Sequence, residues 1–177
     1  MNQKPKLATV WLGGCSGCHM SFLDLDENLI ELAAKVELAA SPFTDFKDFP
    51  PADITLVEGA VANDEHLELI RLVRERSRIL VSFGDCAVTG NVTAMRNCCP
   101  VEAVLERSYV ENATLLLGRP CQSGVVPALI ERACPVHEIV KVDYFLPGCP
   151  PPAADIFELV SDLVEGRRPQ LEGKRFG

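Results

Sequence analysis

Short apolar runs rich in β-branched residues alternate along the chain with segments whose apolar positions recur at helical spacing. LATVWL (7–12), VELAAS (36–41), DITLVEG (53–59) and RILVSFG (78–84) each read as a buried strand, and IVKVDYFLPG (139–148) reads as a fifth. SFLDLDENLIELAAK (21–35) places Phe22, Leu25, Leu29 and Leu32 on one face and predicts one amphipathic helix. NDEHLELIRLVRERS (63–77) predicts a second. Asn63 can cap it, acidic residues fill its first turn, and its arginines fall late, as the helix dipole favours. AADIFELVSDLVEG (153–166) predicts another, starting after Pro152 and stopping at Gly166. FTDFKDFPPA (43–52) reads as a polar-aromatic loop. The stretch 87–138 is less regular, with helices expected near 100–109 and 125–133.

Strand–helix alternation with short links means βαβ units and a parallel sheet. The expected fold is a flavodoxin-like, doubly wound, mainly parallel α/β sheet with helices on both faces, formed by one domain over residues 1–177. No internal repeat or second-domain linker interrupts it. The chain is 47% apolar and its mean hydropathy is +0.13, which suits a buried parallel sheet, a large partner interface, or both. No apolar run reaches the length of a membrane span.

A net charge of −8 argues against nucleic-acid binding, which needs phosphate neutralisation by Lys and Arg. The last twelve residues, GRRPQLEGKRFG, are locally basic and read as a solvated tail. The first residues, MNQKPKLATVW, contain no signal-peptide core, so a cytoplasmic location is expected. Eight cysteines in a cytoplasmic chain point to ligands, redox groups or buried thiols rather than structural disulfides.

In open α/β sheets, ligands bind beyond the carboxyl ends of the strands. Cys15 and Cys18, in GGCSGCHM, follow the first predicted strand. Glu58 ends the third, Cys86 in FGDCAVTG follows the fourth, and Cys149 in LPGCPPP follows the fifth. Glycines beside each of these positions allow close backbone approach. Four thiolates from Cys15, Cys18, Cys86 and Cys149 would hold one 4Fe–4S cluster. Read locally, Cys15 to His19 also matches the c-type haem signature, a redox dithiol, or half of a zinc site. The haem and dithiol readings leave Cys86 and Cys149 unexplained. Structural zinc usually takes two close pairs, whereas here the second pair is widely split.

Cys98, Cys99, Cys121 and Cys134 are read as core or loop packing, because free cysteine is among the most buried residue types. His19 is expected beside the site rather than in it as a ligand, and His66 and His137 at the surface. Glu58 reads either as a strand end pointing at solvent or as a functional group at the cluster edge, supporting the cluster from behind its ligands or forming part of a proton route near the partner. No nucleophile triad, Walker loop or G-x-G-x-x-G run is present, so electron transfer fits better than bond chemistry.

GGCSGCHMSFLDLDE, LVEGAV, SFGDCAVTG, LPGCPPP and LVEGRRPQLEGKRFG together resemble the small subunit of bidirectional nickel–iron hydrogenases, most closely the NAD-reducing type of bacteria, including cyanobacteria. The resemblance covers nearly the whole chain. It implies one proximal 4Fe–4S cluster on Cys15, Cys18, Cys86 and Cys149, with Glu58 beside it. It also implies a large-subunit partner holding the nickel–iron centre. A diaphorase containing FMN and iron–sulfur clusters would be the module that reduces NAD. The chain has no cysteine after Cys149, so one cluster is expected. Some relatives are proposed to bind FMN in this subunit, and that stays an open expectation without a phosphate loop to support it. Three other readings compete. One is the cluster subunit of a quinone-linked respiratory complex, whose relatives carry adjacent cysteines where this chain has Cys15-x-x-Cys18. Another is a thiol oxidoreductase using Cys15 and Cys18. The third is a flavodoxin-like FMN carrier without a cluster.

Overall fold

The computed structural model of the protein describes residues 4–45, 48–114 and 118–177. Parts of the expected loop 43–52, of the irregular stretch 87–138 and of the N-terminal segment lie outside these residues. The chain begins with β1 (Lys6–Trp11), α1 (Gly17–Leu23), α2 (Asn28–Lys35), β2 (Glu37–Ala40), β3 (Ala52–Glu58) and β4 (Val61–Asn63). It continues through α3 (Asp64–Arg76), β5 (Ser77–Phe83), α4 (Asp85–Thr89), α5 (Asn91–Ala94) and α6 (Val101–Glu106). It ends with β6 (Leu129–Cys134), β7 (Tyr144–Leu146) and α7 (Ala153–Val164).

Five strands form one parallel sheet in the order β2-β1-β3-β5-β7, the doubly wound, flavodoxin-like arrangement expected from the sequence. Its strands are apolar on both faces because both are covered. Leu7, Leu56, Val81 and Phe83 face a core completed by Phe22 and Leu32 of α1 and α2 and by Ile156, Leu159 and Val160 of α7. The neighbouring positions Ala8, Val10, Val57 and Leu80 face the other way, onto Ile70 and Val73 of α3 and onto Ala87 and Val136. That alternation is the period of two of a strand, and each large aliphatic buried in it contributes about 1.5–3 kcal/mol. Among the described residues, no helix is long and apolar enough to cross a membrane.

Three expected elements differ. The helix expected over 21–35 is two helices. Asp26 adopts a left-handed φ of 50° between them, a conformation aspartate tolerates, and the turn carries Leu25 into the core. The helix expected near 125–133 is instead strand β6, which pairs antiparallel with β4, a strand the sequence did not suggest. Arg96 and Asn97 hold β6 from the side by bonding the main chain of Ile130, Glu131 and Ala133. A long-range pairing of this kind leaves no local periodicity to read.

The strand expected over 139–148 is reduced to 144–146. Just before it, Asp143 N still donates to Leu80 O at 2.9 Å, but the return bond goes to its carboxylate. Asp143 Oδ2 accepts from Leu80 N at 2.9 Å and from Arg74 Nη1 at 2.7 Å. Burial pushes this carboxyl up, but the Arg74 pair and the Leu80 N–H more than offset it and hold the pKa below the usual value. A lowered carboxyl pKa contributes stability above the unfolded value, about 3.9, that is lost as pH falls through the folded value. Asp143→Asn is therefore expected to flatten the acid limb of an unfolding-versus-pH curve below about pH 4 while lowering stability at neutral pH.

Candidate metal centre

Hydrogen bonds beyond the strand ends join the loops at the carboxyl edge in pairs. After β1 and β3, Leu12 N donates to Glu58 O at 2.8 Å, and Gly13 and Ala60 exchange two backbone bonds of 2.9 Å. The close approach needs glycine at position 59, where φ is +90° and a Cβ would lie 2.9 Å from the backbone of Leu12 and Gly13. After β5 and β7, Gly84 N donates to Leu146 O at 2.8 Å and Asp85 N to Gly148 O at 2.9 Å. Gly148 N returns a bond of 2.6 Å to Asp85 Oδ1.

These joined loops bring the four cysteines predicted as ligands into one place. Cys15, Cys18, Cys86 and Cys149 line a single small cavity together with Glu58, Asp85, Gly17, Gly148 and Pro150. Cys18 and Cys86 are buried at its floor, and Cys15 and Cys149 are exposed at its rim. Burial pushes the Cys18 thiol up, and the charges of Glu58 and the other three cysteines push it further. Cys86 is also raised by burial and by Cys15 and Cys149. The backbone N–H of Val92 and the nearby Thr93 hydroxyl pull the other way. As thiolates the four would repel one another beside a buried carboxyl group, so their ionised forms need a cation to neutralise them.

Among the described residues, no three His, Cys, Asp or Glu side chains gather at the spacing of a single metal ion. A polynuclear cluster asks for something else, because its width separates its thiolates. The donor set and the cavity fit an all-thiolate iron–sulfur core. The backbone at Gly84 fits it as well: φ is 84° and ψ 161°, a region essentially restricted to glycine, and a Cβ there would collide with Cys18 Sγ. Gly84→Ala is expected to destabilise the protein by about 1–3 kcal/mol through backbone strain. Overpacking against the sulfur adds about 1–3 kcal/mol more, and both are read from the midpoint of denaturant unfolding.

Glu58 does not point at solvent; it is 1% exposed. Its Oε2 accepts from His19 N at 2.9 Å and lies 2.5 Å from His19 Nδ1, and its Oε1 takes Cys18 N at 3.4 Å. The carboxylate thus fixes the start of α1 and, with it, the Cys18 side of the cavity. His19 is buried beside the cavity, between the rings of Phe43 and Phe83, and its Nε2 has no protein partner among the described residues.

Asp85, Val92 and Thr93 escaped the sequence reading. The only signal for Asp85 was a charge directly before Cys86. Thr93 is recognisable only once α5 is known to fold back, where its hydroxyl donates to Gly13 O at 2.7 Å. Cys98, Cys99 and Cys121 are exposed and Cys134 is half-buried, so packing in a core does not explain them. Cys98 Sγ and Cys99 Sγ lie 3.7 Å apart as free thiols. His137 is at the surface as expected, but His66 is half-buried. Its Nδ1 accepts from Ala62 N, and burial lowers its pKa.

Residues 15–163 match the family described as NADH ubiquinone oxidoreductase, 20 kDa subunit. The chain is 44% identical to the delta subunit of the NAD-reducing hydrogenase HoxS of Cupriavidus necator, over 93% of this chain and 80% of that one. It is 35% identical to a subunit of the F420-non-reducing hydrogenase of Methanothermobacter marburgensis, spanning 97% of this chain but 57% of that longer protein. Its structure superposes with a TM-score of 0.94 on a chain of an NAD+-reducing [NiFe]-hydrogenase crystallised in the H2-reduced state. That chain is 42% identical, and the match covers 99% of this chain and 100% of the other.

Proposed function

The chain belongs to the NADH ubiquinone oxidoreductase 20 kDa subunit family and, within it, to the small subunits of NAD-reducing nickel–iron hydrogenases, and on that premise we propose that it relays electrons through one 4Fe–4S cluster held by Cys15, Cys18, Cys86 and Cys149. The observation that carries the reading is the convergence of these four thiols, from three separate loops, on one cavity. The core, when bound, supplies one-electron transfer at a potential set by its surroundings. The chain is an accessory subunit: the nickel–iron centre belongs to the large subunit, and a diaphorase with FMN and iron–sulfur clusters reduces NAD. The complex performs H2 + NAD+ = H+ + NADH in either direction. NAD chemistry places it in the cytoplasm.

Within this reading the residues divide the work. Cys18 and Cys86 anchor the buried side of the core, while Cys15 and Cys149 hold the side that faces partners. Glu58 fixes α1, and the Val92 N–H at Cys86 favours its charged form. Around the Cys15 loop, Trp11, Met20 and Phe43 leave large apolar surfaces exposed, which suits burial against the large subunit. FMN is assigned to the diaphorase, because the sheet edge that would hold a flavin in this fold is lined by the cysteines.

The matched family is described by a quinone-linked complex, yet Cys15-x-x-Cys18 departs from the adjacent pair of those relatives, which favours the hydrogenase branch. Anaerobic affinity purification of the tagged chain tests the choice. Co-purification of a nickel-containing large subunit, with about four iron and four sulfide attributable to this chain, is the expected result. Recovery of quinone-binding membrane subunits, or an iron-free chain with a reversible Cys15–Cys18 disulfide, would overturn it.

A further inference from the structure

The basic segment after α7 is not the solvated tail that its composition suggests. Pro169 is buried, and Leu171 packs against the core shared by α1, α2 and α7. The segment then runs back along α7. Lys174 Nζ donates to Asp155 Oδ1 at 2.7 Å and to Glu158 Oε2 at 3.0 Å, in the first turns of that helix. Only 15% of the Lys174 side chain remains exposed, so this pair is better shielded than an ordinary surface bridge.

The run ends against the cluster loops. Gly177 N donates to Asp85 Oδ2 at 2.9 Å. Gly177 sits so close to Cys149 that a Cβ would fall 2.6 Å from Cys149 Cβ and 2.7 Å from its backbone nitrogen. The other oxygen of Asp85 takes Gly148 N at 2.6 Å. Asp85 is 3% exposed, and both of its oxygens are engaged by backbone donors from two different segments. Bonds of this charge-assisted kind are the strong ones, and a buried carboxylate that lost them would be left unsatisfied.

We propose that Asp85 and residues 174–177 form a clamp that fixes the Cys149 arm of the site against the Cys86 arm, with Asp85 as a positioning residue and Lys174 as the anchor of the strap. The consequence for a cluster rests on the function proposed above; the clamp itself does not. With the strap seated, the Cys149 loop has one backbone geometry, and Gly177 covers the Cys149 backbone and Cβ. With the strap released, water reaches that side. Water favours the more highly charged state of the core. For a four-thiolate cluster that is the reduced one, so the potential rises.

The test uses the purified complex with Lys174→Gln, Gly177→Ala and the conservative Lys174→Arg, followed by amide hydrogen exchange, EPR-monitored redox titration and iron release to a chelator. Lys174→Gln and Gly177→Ala are expected to speed exchange in 174–177 and, through Asp85, in 146–149. They should also raise the potential and release iron about 10-fold faster, the lower end for loss of an outer hydrogen-bond partner of a metal ligand. Lys174→Arg should keep the parent values. Faster exchange in 174–177 alone, or a freed strap with unchanged potential and iron release, would overturn the proposal. A parent complex without this cluster would sink the proposed function, whereas coupled exchange in the two segments would still support the clamp.

Discussion

Cys86→Ser is expected to strip the complex of about four iron and four sulfide, the content of one core, or to leave a core with an altered EPR spectrum and potential. The reason lies in the position of this thiol. Cys86 is buried at the floor of the cavity, where burial pushes its thiol up and the Val92 N–H pulls the other way. Serine offers an oxygen that stays protonated there and binds iron more weakly than a soft thiolate. Hydrogen-driven NAD reduction should fall with the cluster, because the proposed relay would lose its first station. Cys98→Ser is the control. Cys98 is an exposed thiol bonded to Met95 O and does not line the cavity, so iron content and activity should stay at parent levels. Equal tolerance of both substitutions would count against the assignment of the ligands.

The largest loss of stability is expected from Glu58→Leu, because each buried donor left without its acceptor costs about 1–3 kcal/mol and three are involved. Leucine would strand three donors in a dry site: Cys18 N, His19 N and His19 Nδ1. It would also free the start of α1, so iron occupancy should drop alongside the denaturation midpoint. Glu58→Gln keeps one carbonyl acceptor for the backbone but presents an amide where the second oxygen stood. A smaller loss is expected, measured by the same urea titration. If Glu58→Leu unfolded at the parent midpoint, the carboxylate would not be holding α1.

The two outcomes rest on residues of very different legibility. Cys86 could be found from the chain alone, because it follows a predicted strand and a glycine, and strand ends are where this fold places ligands. Glu58 could be placed at the edge but not oriented. A glutamate closing a strand points at solvent by default, and only the return of α1 over the sheet turns it inward onto His19 and Cys18. Asp85 offered less still. Its partners, Gly148 and Gly177, are glycines whose backbone N–H groups carry no side-chain signature.

The same division runs through the fold. Residues 153–164 form α7 as read, because Ile156, Leu159, Val160 and Leu163 recur at helical spacing. The helix expected near 125–133 became β6 because its partner, β4, lies more than sixty residues away in the chain. The last residues looked like a solvated tail because arginine and lysine are usually solvated. Lys174 instead found two carboxylates on α7, a pairing set by how the segment folds back.

The sequence by itself determined the alternation of strands and helices, the parallel sheet they imply, and the four cysteines brought to one edge of it. Periodicity and strand-end placement are local properties, written residue by residue. Tertiary structure alone decided how those thiols are held: the inward turn of Glu58, the glycine backbone under Cys18, and the carboxylate of Asp85 joining two loops to the final residues. Each of these depends on which backbone N–H groups meet which oxygens across distant segments. Every residue except proline carries the same N–H, so that choice leaves no mark in the sequence.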